Sequence, residues 1–248
     1  MNLVVLAENV DSLALKNVAK LTGAHAIEQI TPRSFRLLAA QTHAELAQTC
    51  AAGGLDYAWV PARRVLKDFG LFVTDMDSTL INIECIDEIA DMQGLKAEVA
   101  AITEAAMEGE IDFRESLTRR VSLLAGLPEQ ALEEVYIHRL QLNPGAERLM
   151  KGLQRAGLCT VLVSGGFTYF TTRLKQRLGF DHAFANELEV VDGLLSGRIV
   201  GDIVDGAAKA THLQRIRDQL GLQAHQVIAV GDGANDIPMM NAAGFSVA

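Results

Sequence analysis

Two carboxylates close a short apolar run in FVTDMDSTLI, residues 72–81. Asp75 and Asp77 stand where a buried strand would end, and unpaired charge there is costly unless it does work. Two further apolar runs end in the same pointed way. LCTVLV (158–163) meets Ser164-Gly165-Gly166, and VIAV (227–230) meets Gly231-Asp232-Gly233-Ala234-Asn235-Asp236. If the three endings converge, four acids share one cleft and repel each other unless a cation joins them. Mg²⁺ suits such a place, because it is hard, prefers oxygen and takes one or two carboxylates plus a substrate phosphate.

Ser164-Gly165-Gly166 offers the opposite chemistry. Read as the start of a helix, its hydroxyl and backbone N–H groups make an anion site. Lys209 falls within the first turn of the helix read over AAKATHLQRIRDQLG. A cation there opposes the helix dipole, which makes sense if it faces phosphoryl oxygens. These parts describe a phosphoryl transfer. Asp75 attacks phosphorus and forms an acyl phosphate. Asp77 protonates the leaving alkoxide and later takes a proton from water. The cation, Lys209, Ser164 and amide groups hold the equatorial oxygens, where most of the catalytic task lies.

The elements that must position these residues are legible as patterns. GLFVT (70–74), LCTVLV and VIAV read as strands buried on both faces, hence a parallel sheet with helices around it. In such sheets ligands sit beyond the carboxyl ends of the strands. A helical stretch at about 83–140 separates the first two strands, punctuated by Gly94, Gly109 and Gly126. Asp112 with Glu115 reads as a capping box, and the stretch could form a lid. ELEVVDGLLSGRIVG reads as a hairpin through Asp192-Gly193.

Residues 1–61 alternate differently, as strand, helix, strand, strand, helix, strand. That order is a small ferredoxin-like unit. ARRVLKD (62–68) reads as a linker, so the expected domains are residues 1–66 and 67–248. The fold class expected is α/β: a doubly wound parallel sheet with a helical insertion, plus the small βαββαβ domain.

The 248 residues carry a net charge of −9. Residues 1–68 hold seven Lys and Arg against six Asp and Glu, so the acidic surplus lies beyond them. That argues against a nucleic-acid partner, which wants a basic footprint. No apolar run reaches the length of a membrane span and MNLVVLAENVD lacks a signal peptide's basic start. The three scattered cysteines, Cys50, Cys85 and Cys159, fit a reducing cytoplasm.

DMDST, SGG, the downstream Lys209 and GDGAND together resemble the four motifs of the haloacid dehalogenase superfamily, and most closely its phosphoserine phosphatase branch. AMEGEIDFRESLTRRVSLLAGLP, SGGFT and FANELEV fit that branch too, and the likeness covers roughly residues 69–248. The resemblance implies Mg²⁺ held by the Asp75 carboxylate, the Asp77 main-chain carbonyl and the Asp232 carboxylate. Asn235 and Asp236 would support that shell, with Asn235 also facing substrate, and Gly165 would donate a backbone N–H. Glu84, Met107 and Arg120 match positions that read the serine part. Glu84 meets its ammonium and Arg120, rather than its neighbour Arg119, its carboxylate. The implied reaction is hydrolysis of O-phosphoserine to serine and phosphate, the last step of serine biosynthesis. The family pattern continues for a further strand and helix past GFSVA. The small N-terminal unit resembles amino-acid-binding regulatory domains of the ACT type by fold alone.

Other readings stand beside this one. The same chemistry would serve another small ester such as homoserine phosphate. A receiver-type phosphoacceptor also gathers acids and a lysine around Mg²⁺, but a proton carrier beside the nucleophile favours turnover. The N-terminal unit could make the chain an amino-acid sensor. No nucleic-acid or membrane partner is expected, and a homodimer is left open.

Overall fold

Alternation in the first strand, β1 (Asn2–Leu6), puts Leu3 and Val5 on one face, and both are fully buried. A computed structural model describes the chain except Arg63, Gly109 and the side chain of Met107. The expected stop at Gly109 therefore lies outside the described residues. Asp11 opens α1 (Ser12–Leu21) by accepting bonds from Leu13 N and Ala14 N. Then follow β2 (Ala26–Thr31), β3 (Ser34–Leu38), α2 (Leu46–Ala52) and β4 (Asp56–Val60). The four strands form an antiparallel sheet ordered β2-β3-β1-β4. Leu3, Val5 and Leu37 pack on Leu15, Val18, Leu46 and Cys50 of the helices. Met1–Val65 is one compact unit and Leu66–Ala248 another.

The second unit starts with β5 (Leu71–Thr74), all four of whose residues are buried. Four helices follow: α3 (Cys85–Asp91), α4 (Lys96–Met107), α5 (Phe113–Ser122) and α6 (Gln130–His138). Then come α7 (Ala146–Ala156), β6 (Cys159–Phe167), α8 (Thr168–Leu178), β7 (His182–Val191) and β8 (Leu194–Val200). The chain closes with α9 (Gly206–Gln219), β9 (Val227–Val230), α10 (Ile237–Asn241) and β10 (Phe245–Val247). The sheet order is β10-β9-β5-β6-β7-β8, parallel throughout except β8, which runs back along β7. Phe72, Leu162 and Ile228 pack into the core on one face, and Leu71, Val73, Val161 and Ala229 into the core on the other. This is the double cover that a parallel sheet needs. Asp192 and Gly193, both at positive φ, turn the β7–β8 hairpin as the dipeptide predicts.

The stretch carrying α3–α6 leaves and rejoins the sheet at one neck. Ile81 pairs with Leu142 in an antiparallel bridge. Asn82 N donates to Gln141 O at 3.0 Å, and Gln141 N to Asn82 Oδ1 at 3.0 Å. The Asn143 amide donates to the carbonyls of Thr79, at 2.8 Å, and Ile81, at 3.2 Å.

Two local expectations are corrected. Ser164-Gly165-Gly166 does not start a helix. Strand β6 runs on through Phe167, its register with β7 slipping between Val163 and Phe167, and α8 begins only at Thr168. The Asp112–Glu115 box is half formed. Asp112 accepts from Glu115 N at 2.8 Å, but the Glu115 carboxylate turns to Arg119, its partner one helical turn on.

Candidate active site

The carboxyl ends of β5, β6 and β9 meet in the middle of the sheet. Asp75 N donates to Val230 O at 2.9 Å, so its backbone is fixed between the strands. Lys209 is the largest buried cation, with no exposed surface, and its position in α9 carries Nζ to the acids. Nζ stands 2.8 Å from Asp75 Oδ1 and 2.8 Å from Asp236 Oδ1. The second contact is a directed hydrogen bond, whereas the first is an ion pair without hydrogen-bond geometry, and Asp75 Oδ1 accepts no hydrogen bond. The other oxygen of Asp236 accepts from Gly233 N at 3.1 Å. Asp236 thus serves Lys209 and the turn, not as a side-chain cap for α10. Asp232 accepts from Thr79 Oγ1 at 2.5 Å. Asp75, Asp232 and Asp236 present carboxylate oxygens that all lie within 4.8 Å of one another.

One ammonium cannot neutralise this set. Burial pushes the Asp75 carboxyl up to about 6 against the pull of Lys209, with repulsion from Asp236 adding to the rise. Burial by itself would lower Lys209, but the attraction of Asp75 and Asp236 outweighs it and holds the ammonium above the ordinary lysine range. An all-oxygen donor set with surplus negative charge and a buried oxygen short of a hydrogen bond fits a hard divalent cation.

Asp77 is placed differently. Its Oδ1 accepts from Cys85 N at 3.0 Å, and the Ser164 hydroxyl donates to Oδ2 at 3.3 Å. Burial pushes its carboxyl up to about 7, with repulsion from Glu84 and Asp75 adding to the rise. A carboxyl held near neutrality can give and take a proton, which is what general acid–base work needs. Gly166 makes the approach possible. A Cβ there would lie 2.5 Å from Asp77 Oδ2 and 3.1 Å from Ser164 Oγ. Gly166 N donates to Ser164 Oγ at 2.8 Å, which fixes the hydroxyl.

A cavity of about 140 Å³ opens beside these groups. Asp75, Asp77, Ser164, Gly165, Asp232 and Asn235 from the strand ends line it, together with Glu84, Ile86, Phe113, Leu117 and Arg120 from the helical stretch. Glu84 opens α3 without capping it; its side chain accepts from Ser78 Oγ at 2.6 Å. Burial raises the Glu84 carboxyl, offset in part by the Ser78 hydrogen bond and then by Arg120, and lowers the Arg120 guanidinium, offset in part by Asp87 and then by Glu84. Arg120 Nε is buried without a hydrogen-bond partner, an uncompensated donor beside the cavity. Arg119 points away to its pair with Glu115, its side chain 53% exposed. The Met107 side chain lies outside the described residues.

The structure thus brings together Asp75, Asp77, Glu84, Arg120, Ser164, Gly165, Lys209, Asp232, Asn235 and Asp236. Sequence reasoning missed several supports. Ser78 takes the left-handed conformation at φ 54, and its hydroxyl reaches Glu84. Thr79 holds Asp232 across 153 residues of chain. Asn186, fully buried, donates to Gly165 O at 2.7 Å and accepts from Val204 N at 2.7 Å, steadying the loop that carries Gly165. FANELEV flagged that region, but the asparagine's role was legible only as contacts. Phe113, Ile86 and Leu117 were not singled out at all.

Residues 72–241 match the family model described as haloacid dehalogenase-like hydrolase. The chain belongs to that family. Residues 3–46 of this hydrolase also match a domain of unknown function. A protein named phosphoserine phosphatase from Polaromonas sp. is 58% identical over 188 residues, 74% of this hydrolase and 80% of the relative. A crystal structure of a probable phosphoserine phosphatase from Vibrio cholerae superposes with a TM-score of 0.83 at 37% identity, covering 99% of this hydrolase and 77% of that chain. A phospho-aspartyl intermediate analogue of phosphoserine phosphatase superposes with a TM-score of 0.67 at 43% identity, covering 72% and 85% of the two chains. No described helix of the hydrolase is long and apolar enough to cross a membrane.

Proposed function

We propose that this hydrolase is a Mg²⁺-dependent phosphoserine phosphatase that works through an aspartyl-phosphate. The observation that carries the reading is the cavity itself. It gathers Asp75 and Asp77 in one lining with a carboxylate, Glu84, and a guanidinium, Arg120, whose buried Nε makes no hydrogen bond. Phosphoserine has a phosphate, an ammonium and a carboxylate, and each has a complement there.

The metal would be held by the carboxylates of Asp75 and Asp232 and the main-chain carbonyl of Asp77, with Asn235 and Asp236 in support. When bound, it offsets the charge of the acids and of the transferring phosphoryl group. The other groups belong to the chain. Arg120 binds the substrate carboxylate and Glu84 the ammonium, which orients the ester. Lys209, Ser164 and the Gly165 N–H hold phosphoryl oxygens. An Asp75 oxygen bonds to phosphorus as the bond from phosphorus to the serine oxygen breaks, and Asp77 gives that oxygen its proton. Serine leaves. Asp77 then takes a proton from water as the water oxygen attacks phosphorus, which frees phosphate and restores Asp75.

The setting is the last step of serine biosynthesis in the cytoplasm, with the free thiols of Cys50, Cys85 and Cys159 in keeping with a reducing compartment. Residues 1–66 form an ACT-like accessory domain and residues 67–248 the catalytic one, with α3–α6 as its specificity insertion. Phosphate release from a panel of phosphorylated amino acids, with and without Mg²⁺, tests the reading. O-phosphoserine is turned over best, chelation of the metal stops turnover, and Asp75→Asn abolishes it. Unchanged turnover in that variant removes Asp75 as the nucleophile.

A further inference from the structure

The helix α5 roofs the cavity with Phe113, Leu117 and Arg120. The fit is close: a Cβ at Gly165 would lie 2.9 Å from Phe113 Cζ. What holds α5 down therefore bears on how the site fills and empties.

The two ends of α5 are held unequally. Beyond its C-terminal end the backbone is tied to the β7–β8 hairpin. Gly126 N donates to Leu195 O at 2.8 Å, Leu195 N to Leu127 O at 2.7 Å, and Glu129 N to Gly193 O at 2.9 Å. At the N-terminal end Phe113 packs against Gly165, and the polar tie among the described residues is made by Arg114. Arg114 Nε donates to Asp205 Oδ2 at 2.7 Å, and its Nη2 reaches Ile203 O at 3.4 Å. The pair is partly open to solvent, with side-chain exposures of 54% for Arg114 and 19% for Asp205. Exposed pairs of this kind are weak and easily broken.

Asp205 also faces the chemistry. Its other oxygen, Oδ1, accepts from Ala208 N at 2.9 Å, capping α9, and its carbonyl accepts from Lys209 N at 2.9 Å. One carboxylate therefore starts the helix that delivers Lys209 and holds down the helix that delivers Arg120.

We propose that Arg114 and Asp205 form a latch that closes the N-terminal end of α5 over bound substrate. They are positioning residues. They act through Phe113, Leu117 and Arg120, and so on the amino-acid part of the ester. Arg114 itself reaches Asp205 and Ile203 and not the groups that hold phosphate, and asparagine at position 205 keeps the α9 cap. The proposal rests on the phosphoserine reading for its choice of substrate, but not for its mechanics.

The test uses the full chain with Arg114→Met, Arg114→Lys and Asp205→Asn, since asparagine still caps a helix but no longer pairs with a charge. The KM for O-phosphoserine rises about three- to fivefold in Arg114→Met and in Asp205→Asn, without loss of kcat, as expected for a weak pair. The KM for ethyl phosphate, which lacks the ammonium and carboxylate, stays within about twofold. Arg114→Lys recovers most of the loss. Hydrogen exchange at the first amides of α5 speeds up in Arg114→Met, while those of α9 keep their protection. An unchanged KM for phosphoserine, equal losses on the two esters, or unaltered exchange in α5 overturns the latch. If the parent protein hydrolyses ethyl phosphate but not phosphoserine, the substrate reading falls alone, and the exchange data still decide the latch.

Discussion

At the scale of single residues, the site separates chemistry from recognition. Asp75 and Asp77 are two positions apart, yet one lies against an ammonium and the other against a hydroxyl and an amide. Gly166 is what lets Asp77 reach Ser164, so Gly166→Ala, whose added carbon would overlap the carboxylate, lowers kcat on every phosphate ester alike. A steady-state comparison of phosphoserine and ethyl phosphate checks this. Arg120→Ala has the opposite signature. On the proposed reading it removes the partner of the substrate carboxylate, an interaction worth about 2–5 kcal/mol, so kcat/KM for phosphoserine falls about thirtyfold or more. Ethyl phosphate, with no carboxylate, loses at most about threefold. Equal losses on both esters would deny Arg120 its recognition role. The acids were legible in the sequence because a charge at the end of an apolar run is conspicuous. Their supports were not. Ser78, Thr79 and Asn186 are ordinary polar residues whose meaning lies in contacts with Glu84, Asp232 and Gly165.

At the scale of elements, the apolar runs announced the buried strands, and Asp192-Gly193 announced its hairpin. The misreading fell on β6, where two glycines suggested a turn. Pairing beyond a register slip carries the strand on to Phe167, and no local pattern shows that. Helix α9 supplies a test of its own. Its cap, Asp205, has its carboxyl held below the usual range, first by the Ala208 N–H and then by Arg114. A depressed folded value means the stabilisation is present above the unfolded carboxylate range and lost as pH falls through the folded one. Asp205→Asn cannot titrate. Thermal midpoints of parent and variant therefore differ most near neutrality and converge as pH drops below the ordinary carboxylate range, about 4, and through the depressed folded value. A gap that stays constant over that range would mean the carboxylate is not what stabilises α9.

At the scale of the whole molecule, every residue that lines the cavity belongs to Leu66–Ala248. Removing Met1–Val65 is expected to leave kcat on phosphoserine within about twofold, provided the shortened chain still melts cooperatively. A sensor role for the first unit would show instead as lost inhibition by serine. The βαββαβ order of that unit was readable from alternation and turn residues alone, because each element is short and bounded by turn residues. How α3–α6 fold over the strand ends was not readable, since it depends on pairings such as Arg114 with Asp205, 91 positions apart.

The neck at Ile81 and Leu142 has a wider meaning. Because the chain departs and returns at adjacent points, everything between is one module, whose further backbone anchor is the β7–β8 hairpin. Exchanging that module alters which ester is admitted while the strands beneath keep their register. Substrate range can therefore drift in evolution, or be redirected in the laboratory, without rebuilding the reactive centre.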